Sequence, residues 1–344
     1  MNTKVPARYY DKFPDGAISC QLCPHTCFLR NGNSGICGAR KNRNGVLYAL
    51  TYGEVTGYAV DPVEKKPLYH FHPGGRLLSI GGWGCNLKCV YCQNSAISQS
   101  ESPSVSMTPR EVAGQALRDG SIGVAYTYNE PIIAIEYLMD CCREVRKAGG
   151  KNVLVSNGFI NAKPMADLLP LLDAVNFDLK AFNNEFYKKM CGGSLEPVLD
   201  TIRGVVGKVH MELTNLLIPD ANDAIPELED MADWIAVNCG RKVPCHLTAY
   251  HPSYNYNRAA TTEAHLKNAR YIFRKKLDYV YLGNVAVAGA GDTVCVNCRH
   301  TVVRRAVFTA DTAGMNPDGT CANCGADNNI VTGTGGGRPS VRRQ

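Results

Sequence analysis

Three cysteines stand close together in the segment GCNLKCVYCQN. Cys85, Cys89 and Cys92 follow the spacing C-x3-C-x2-C, and no fourth cysteine stands beside them. A cubane [4Fe-4S] cluster normally takes four cysteine thiolates. If no fourth protein ligand arrives, one iron keeps an open position that can bind a substrate or cofactor, as in a catalytic metal site. The alternatives are a four-cysteine cluster or a zinc site whose fourth ligand comes from elsewhere in the chain.

A second group of cysteines, near the C terminus, has the spacing of a structural metal site. The pairs CVNC and CANC are separated by 22 residues, which is typical of a zinc site of ribbon or rubredoxin type. The predicted ligands are Cys295, Cys298, Cys321 and Cys324. Iron can occupy the same all-thiolate geometry. A module with few large apolar residues needs such a metal to fold, so we predict zinc with a role in folding or protein contact.

A third group, near the N terminus, follows the pattern C-x2-C-x3-C-x9-C. Its members are Cys20, Cys23, Cys27 and Cys37. This spacing favours a metal site, and both zinc and an auxiliary iron–sulfur cluster are open; disulfides are the poorer choice in a reducing compartment. His25 and the neighbouring glycines resemble a compact knuckle, which favours zinc slightly. The cysteines outside the three groups are predicted to be structural thiols, and they are Cys141, Cys142, Cys191, Cys239 and Cys245.

The whole chain has the composition of a globular protein. Its 344 residues are 45% hydrophobic and 20% charged, with a net charge of +6. No stretch approaches the roughly 18 uninterrupted apolar residues of a membrane helix, and the first residues contain no apolar signal core. We therefore predict a cytoplasmic protein without membrane association. The basic residues are spread along the chain and the run RHTVVRRAVF is short, so nucleic-acid binding is not predicted.

Strand and helix patterns alternate between residues 76 and 285. The apolar runs that predict strands are RLLSIGG, GVAYTY, NVLVSN, AVNFDLK, HMELTNLLIP, CHLTAY and YVYLGNV. Helical patterns lie between most of them, and Thr108 followed by Pro109 marks the start of one helix. This alternation predicts parallel strands joined by right-handed crossovers, as in an α/β barrel or part of one.

Polar residues follow several predicted strands, at the edge where parallel barrels carry their chemistry. They are Asn129, Glu130, Ser156, Asn157, Asp178, Lys180, His246 and His251. Taken singly, such residues can be helix caps or turn residues. Their joint placement around one rim indicates a site. A core or hydrogen-bonding role is favoured for at least one of the two histidines.

The cysteine loop and its context resemble the radical S-adenosylmethionine (SAM) superfamily. Further matching segments are CQLCPHTCFLRNGNSGICGARKN, DPVEKKPLYHFHPGG, GVAYTYNEP, VSNGF, FDLKAF, LLIPDAND and YVYLGNV. The chain is similar to pyruvate formate-lyase activating enzymes, and more so to the radical SAM component of the AmmeMemoRadiSam system. The resemblance implies a partial (β/α)6 TIM-like barrel over residues 76–285. We expect a cysteine-rich module at 1–75, a zinc-ribbon-like module at 286–328 and a flexible tail at 329–344.

The resemblance implies that the three loop thiolates hold a [4Fe-4S] cluster whose open iron binds the amino and carboxylate groups of SAM. In such enzymes SAM is cleaved to methionine and a 5′-deoxyadenosyl radical, which takes a hydrogen atom from the substrate. The residues that the resemblance places around SAM are Tyr91, Asn129, Glu130, Ser156, Asn157, Asp178 and Lys180. Glu130 would receive the SAM ammonium. Asn129 stands where the family has a glycine, and the charges of DPVEKKPLYHF are interpreted as a solvated face.

We predict a radical SAM enzyme of the activating-enzyme type that acts on a protein or peptide. The implied partner is a flavodoxin- or ferredoxin-like electron donor. The chain has no glycyl-radical segment, so a glycyl-radical substrate would be another chain. A radical SAM catalyst that acts on a small molecule is the alternative. An iron–sulfur electron carrier without SAM chemistry is disfavoured, because it would not need YTYNEP and VSNGF.

Overall fold

Short antiparallel strands form the first part of the computed structural model, which describes residues 5–333. These strands are β1 (Val5–Pro6), β2 (Tyr10–Lys12), β3 (Ile18–Cys20), β4 (Phe28–Leu29), β5 (Arg40–Arg43), β6 (Val46–Ala49) and β7 (Glu54–Val55). They form two three-stranded sheets, in the orders β1-β6-β5 and β2-β3-β4, while β7 pairs elsewhere. Because the ladders are so short, this module depends on packing against the rest of the chain. One such contact is the buried ion pair of Arg40 with Glu136, at 3.0 Å.

A sheet of eight strands follows and carries most of the core. The next strands are β8 (Gly57–Pro62), β9 (Arg76–Gly81), β10 (Val105–Ser106), β11 (Gly123–Tyr126), β12 (Lys151–Ser156), β13 (Ala174–Asp178), β14 (His210–Leu217), β15 (Cys245–Ala249) and β16 (Val280–Gly283). Apart from β10, which pairs with β7, they form one sheet in the order β16-β15-β14-β13-β12-β11-β9-β8. All seven predicted runs form parallel strands of this sheet, so the predicted α/β fold is confirmed.

The sheet has one more parallel strand than the six implied by the resemblance. In addition, β8 runs antiparallel to β9, with Gly57 opposite Gly81 and Pro62 opposite Arg76. The chain has to reach the amino end of the sheet before β9 can begin, and β8 makes this passage while covering the exposed edge of β9. The described strands β8 and β16 do not pair with each other, so the sheet is open rather than a closed barrel.

The six longer helices fall where the sequence patterns predict them, whereas the two short helices were not predicted. In chain order the helices are α1 (Ser95–Ser98), α2 (Pro109–Arg118), α3 (Ile135–Lys147), α4 (Ala162–Leu168), α5 (Asn184–Phe186), α6 (Glu196–Val205), α7 (Ile225–Cys239) and α8 (Glu263–Arg274). The short ones are α1 and α5. Shorter turns occupy Val63–Lys65, Pro131–Ala134, Leu169–Leu171 and Tyr187–Cys191. Thr108 caps α2 as predicted, because its hydroxyl accepts from the N–H of Glu111 at 3.2 Å. In the described part of the chain, no helix has the length and apolar character needed to cross a bilayer.

Glu212 of β14 organises the amino end of the sheet. Its carboxylate accepts the backbone N–H groups of Tyr69 and His70, at 3.0 and 2.7 Å, and so holds the segment that leads into β9. The same carboxylate accepts from Nε2 of His210 at 2.9 Å and Nε2 of His246 at 2.6 Å. His246 is therefore a buried hydrogen-bonding residue, as expected for at least one of the two histidines, and its predicted position at the carboxyl edge of the sheet is wrong. His251 is exposed in the loop after β15.

The C-terminal module packs against this amino end. It contains β17 (Thr293–Val294), β18 (Thr301–Ala306) and β19 (Thr309–Asp311), which form an antiparallel sheet. The guanidinium of Arg305 lies over the ring of Tyr69, 4.4 Å from its centroid. This arginine of the basic run RHTVVRRAVF therefore packs against the rest of the fold. Val331 pairs with Phe71, and residues 329–333 are thus attached to the fold rather than part of a flexible tail. Residues 334–344 of the predicted tail lie outside the described residues.

Candidate active site

A cavity of about 620 Å³ lies at the carboxyl ends of the parallel strands. Its volume is in the range of ligand sites, about 300–1,000 Å³. The lining includes every residue that the sequence assigned to the cysteine loop and to SAM, namely Cys85, Cys89, Tyr91, Cys92, Asn129, Glu130, Ser156, Asn157, Asp178 and Lys180. The residues come together because parallel strands end at the same edge of the sheet. Six of the eight residues predicted to share this rim therefore line the cavity, whereas His246 and His251 do not.

The cysteine loop, residues 84–94, is held from two sides. On one side, the backbone N–H of Lys88 donates to the carbonyl of Cys191 at 2.7 Å. On the other side, Gly84 packs against the N-terminal module. Its φ is +87°, and an added Cβ would lie 2.6 Å from the carbonyl oxygen of Cys37. Only glycine allows this backbone conformation and this close approach.

The loop thiols line the cavity, whereas the nearby Cys191 does not. Cys191 is fully buried and shares a 3.1 Å hydrogen bond with the hydroxyl of Tyr91. Among the described residues, the loop sulfurs do not form a group of three within 4.8 Å of one another. A single zinc ion holds its thiolates closer than this, whereas a multi-atom cluster separates them. The arrangement of the three thiols therefore fits a [4Fe-4S] cluster better than a single zinc ion.

Glu130 is a buried carboxylate whose two oxygens are held by donors. Oε1 accepts from Oγ of Ser156 at 2.8 Å and from the N–H of Ile132 at 3.2 Å. Oε2 accepts from the N–H of Asn157 at 2.8 Å. Burial raises the pKa of Glu130 to about 7, although these donors act in the opposite direction. Ser156 therefore contacts Glu130 directly and fixes its orientation.

Two asparagines tie the strand ends to the cysteine loop. Oδ1 of Asn129 accepts from the N–H of Gly82, and its Nδ2 donates to the carbonyl of Gly84, both at 3.0 Å. Nδ2 of Asn157 donates to Oδ1 of Asn86 at 2.9 Å and lies 3.7 Å from the sulfur of the first loop cysteine. Both polar atoms of the Asn129 side chain therefore form hydrogen bonds with backbone groups, those of Gly82 and Gly84. This residue, which the resemblance placed next to SAM, holds the loop in position.

Asp178 and Lys180 form an ion pair on the cavity wall, with Nζ 3.0 Å from Oδ2. Burial alone would lower the pKa of Lys180, but Asp178 and the neighbouring thiols raise it well above its ordinary value. Lys180 can therefore present an ammonium to a carboxylate. Tyr91 lines the same cavity but is only 4% exposed, and its ring packs against Phe186 at 5.9 Å between centroids.

A buried charge cluster on the cavity wall was not anticipated from the sequence. Nζ of Lys66 lies 2.7 Å from Asp61, which also pairs with Lys65 at 2.8 Å and accepts from the hydroxyl of Tyr128 at 2.6 Å. Asp61 and Lys66 are buried, so the interpretation of their segment as a solvated face is wrong. The two adjacent lysines were the feature of the sequence that pointed to a charged site. Nothing in their spacing indicated that the segment is buried beside the cavity.

The four C-terminal cysteines converge on one point. Sγ of Cys295 lies 3.6 Å from Sγ of Cys324, and Sγ of Cys298 lies 3.7 Å from Sγ of Cys321. All four sulfurs lie within 4.8 Å of one another. A tetrahedral zinc ion with bonds of about 2.3 Å requires sulfurs about 3.8 Å apart. The geometry therefore fits a four-coordinate metal site.

Comparison with known proteins agrees with this site. The model of the Radical SAM superfamily matches residues 80–235, and the chain belongs to this superfamily. An uncharacterized protein of Methanocaldococcus jannaschii is 38% identical over 333 residues, which cover 94% of this chain and 99% of that protein.

More distant matches include the pyruvate formate-lyase 1-activating enzyme of Escherichia coli K12. It is 27% identical over 159 residues, which cover 44% of this chain and 64% of that enzyme. The solved structure of a radical SAM methyltransferase from Sphaerobacter thermophilus has a TM-score of 0.48 and 14% identity, and the match covers 62% of this chain and 67% of that chain.

Proposed function

We propose that this chain is a radical SAM enzyme of the activating-enzyme type that takes a hydrogen atom from a protein or peptide. The observation that carries the proposal is the convergence of three loop thiols, a buried carboxylate and a partly buried ammonium on one cavity. A [4Fe-4S] cluster with SAM supplies, when bound, the one-electron bond cleavage that produces a hydrogen-abstracting radical. The similarity to an activating enzyme supports a protein substrate.

Each side chain has a role that follows from its surroundings. Cys85, Cys89 and Cys92 would hold the cluster and leave one iron open for SAM. Glu130 would bind the SAM ammonium, since a buried carboxylate makes a strong charge-assisted contact. Lys180 would pair with the SAM carboxylate. The positioning residues, which act through the loop or through Glu130, are Asn129, Ser156 and Asn157.

The same proposal includes an electron donor of the flavodoxin or ferredoxin type and a cytoplasmic location. It also assigns zinc to the four C-terminal cysteines, because their sulfurs have tetrahedral spacing. That site lies at the amino end of the sheet, whereas the cavity lies at the carboxyl end. We therefore assign the zinc a structural role.

The first experiment tests SAM cleavage. The protein is reconstituted without oxygen, reduced with dithionite and given SAM, and 5′-deoxyadenosine and methionine are measured. Wild type should form both, and Cys89→Ala should form neither. Cys141→Ala, which removes a buried thiol that does not line the cavity, is the matched control and should remain active. Bound iron without deoxyadenosine in wild type would favour an electron carrier.

A second experiment tests the substrate class. An anaerobic extract of the source cells is separated into macromolecular and low-molecular-weight fractions, and each is added to the reduced enzyme with SAM. We expect the macromolecular fraction to increase deoxyadenosine formation, and protease treatment to abolish the increase. Stimulation by the low-molecular-weight fraction alone would support the small-molecule alternative.

A further inference from the structure

The four N-terminal cysteines surround one pocket that is separate from the SAM cavity. Its lining contains Cys20, Cys23, Cys27 and Cys37, together with Arg40. Cys20 and Cys37 are buried, and Cys23 and Cys27 are partly exposed. Four thiols around one pocket can hold either a zinc ion or an iron–sulfur cluster. The spacing of the sulfur atoms distinguishes these occupants, and a buried arginine supplies a donor for the sulfur atoms of the group that is bound.

The first observation is the spacing of the sulfur atoms. In the C-terminal module, all four sulfurs lie within 4.8 Å of one another, as one metal ion requires. Of the described N-terminal cysteines, no three meet this limit, and the same holds for the cysteines of the loop at residues 84–94. The N-terminal thiols, like the loop thiols, are therefore not gathered around one point as the C-terminal thiols are. A cluster of several iron and sulfide atoms spans such a gap, whereas a single zinc ion does not.

The second observation is a buried arginine in the wall of the pocket. Arg40 is 1% exposed, and its two terminal nitrogens donate hydrogen bonds to the carboxylate of Glu136 and to backbone carbonyls. Its Nε forms no hydrogen bond with any of the residues that the structure describes. A buried donor without a partner is costly. The sulfur atoms of a cluster would accept from it.

The pocket also adjoins the cysteine loop. Nε2 of His25, which stands between Cys23 and Cys27, lies 2.7 Å from the carbonyl oxygen of Asn86 in the loop. On the other side of the pocket, the carbonyl of Cys37 packs against Gly84. The N-terminal thiols are thus one layer of residues away from the SAM site.

We propose that Cys20, Cys23, Cys27 and Cys37 hold a second iron–sulfur cluster, with Nε of Arg40 donating a hydrogen bond to it. The N-terminal site then differs in kind from the zinc site at the C terminus, and the slight preference of the sequence for zinc is replaced. The proposal does not depend on the proposed function, because it rests on the pocket alone.

The test uses the full chain with Cys85→Ala, Cys89→Ala and Cys92→Ala combined, which removes the loop site. After anaerobic reconstitution with iron and sulfide, we expect about four irons and four sulfides per chain. Dithionite should produce an electron paramagnetic resonance signal. Adding Cys23→Ser and Cys27→Ser should abolish the iron and the signal. Adding Cys239→Ser instead, as a matched control, should leave both unchanged.

Zinc is counted on the same samples to show that the variants are folded. One zinc per chain should remain in every variant, because the C-terminal site is intact. Absence of iron from the loop triple variant, with or without a second zinc, would overturn the proposal. Arg40→Lys in the loop triple variant keeps the charge but removes the Nε donor. It should lower the reduction potential of the cluster, and an unchanged potential would contradict the assigned hydrogen bond.

Discussion

The hydroxyl of Tyr91 lies 3.1 Å from the sulfur of Cys191. Tyr91 precedes the third cysteine of the loop and lines the cavity, whereas Cys191 is buried and does not line it. A fourth thiol is therefore close to the loop in space, but a tyrosine holds it behind the loop. This arrangement explains how the site can present three thiols, and not four, to a cluster.

Replacement of Cys191 tests this separation. Cys191→Ala should keep about four irons per loop site and should retain SAM cleavage. Its free energy of unfolding should fall by about 1 kcal/mol, because a buried sulfur is lost. Iron content and deoxyadenosine are measured beside Cys92→Ala, which should lose both. Loss of iron from Cys191→Ala, in a folded protein, would show that Cys191 is a ligand.

The binding of SAM should depend on pH through Glu130. Its pKa is raised to about 7 by burial, so the carboxylate is mostly neutral near pH 6 and mostly ionised near pH 8. Only the ionised form pairs with an ammonium, and SAM affinity should therefore rise about tenfold over this range. Equilibrium dialysis of the cluster-loaded protein measures the affinity. Glu130→Gln should bind SAM more weakly, with a flat profile; an unchanged slope would assign the dependence to another group.

The close approach of the loop to the N-terminal module predicts a strong effect at Gly84. Gly84→Ala should destabilise the protein by about 2 kcal/mol or more, because φ is positive and the methyl group would overlap the carbonyl of Cys37. Gly204→Ala is the matched control, since no atom of the described residues 5–333 lies within 4 Å of its added Cβ. It lies in α6 and should stabilise the protein by about 0.5–1 kcal/mol. Denaturant unfolding compares the two variants, and equal effects would contradict the contact.

The carboxylate of Glu212 should be important for stability at neutral pH. Burial opposes its ionisation, but the donors from His210 and His246 hold its pKa below the ordinary range. Glu212→Gln leaves buried donors without a charged partner and should lower the free energy of unfolding by about 3 kcal/mol. Glu185→Gln removes an exposed ion pair with Lys189 and should cause no measurable change. A similar result for both variants would show that the buried network contributes little.

Removal of the C-terminal metal should affect folding without abolishing SAM cleavage. Cys321→Ser should lose one zinc per chain and make residues 293–328 sensitive to protease, because a small module with few apolar residues depends on its metal. Deoxyadenosine formation should persist, since the module packs at the amino end of the sheet. Metal analysis and limited proteolysis test the first part. Complete loss of cleavage in a protein that keeps its loop iron would assign the module a role in catalysis.

Local patterns predicted much of the fold and of the cavity. Each apolar run between residues 76 and 285 forms its strand, because strand length and strand–helix alternation are properties of neighbouring residues. The polar residues at the strand ends converge for the same reason. The edge strand β8 was missed, since nothing in its sequence says that it pairs antiparallel to β9.

By itself, the sequence determined the strand–helix alternation, the cysteine loop and the residues placed at the carboxyl edge of the sheet. These follow from spacing along the chain. Only the tertiary structure decided that Cys191 lies behind the loop, that Lys66 is buried against the cavity and that His246 is in the amino-end network. Such positions depend on contacts between distant segments; the contact of Tyr91 with Cys191 spans 100 residues. No local pattern carries that information, because packing and hydrogen bonding across the whole fold select those partners.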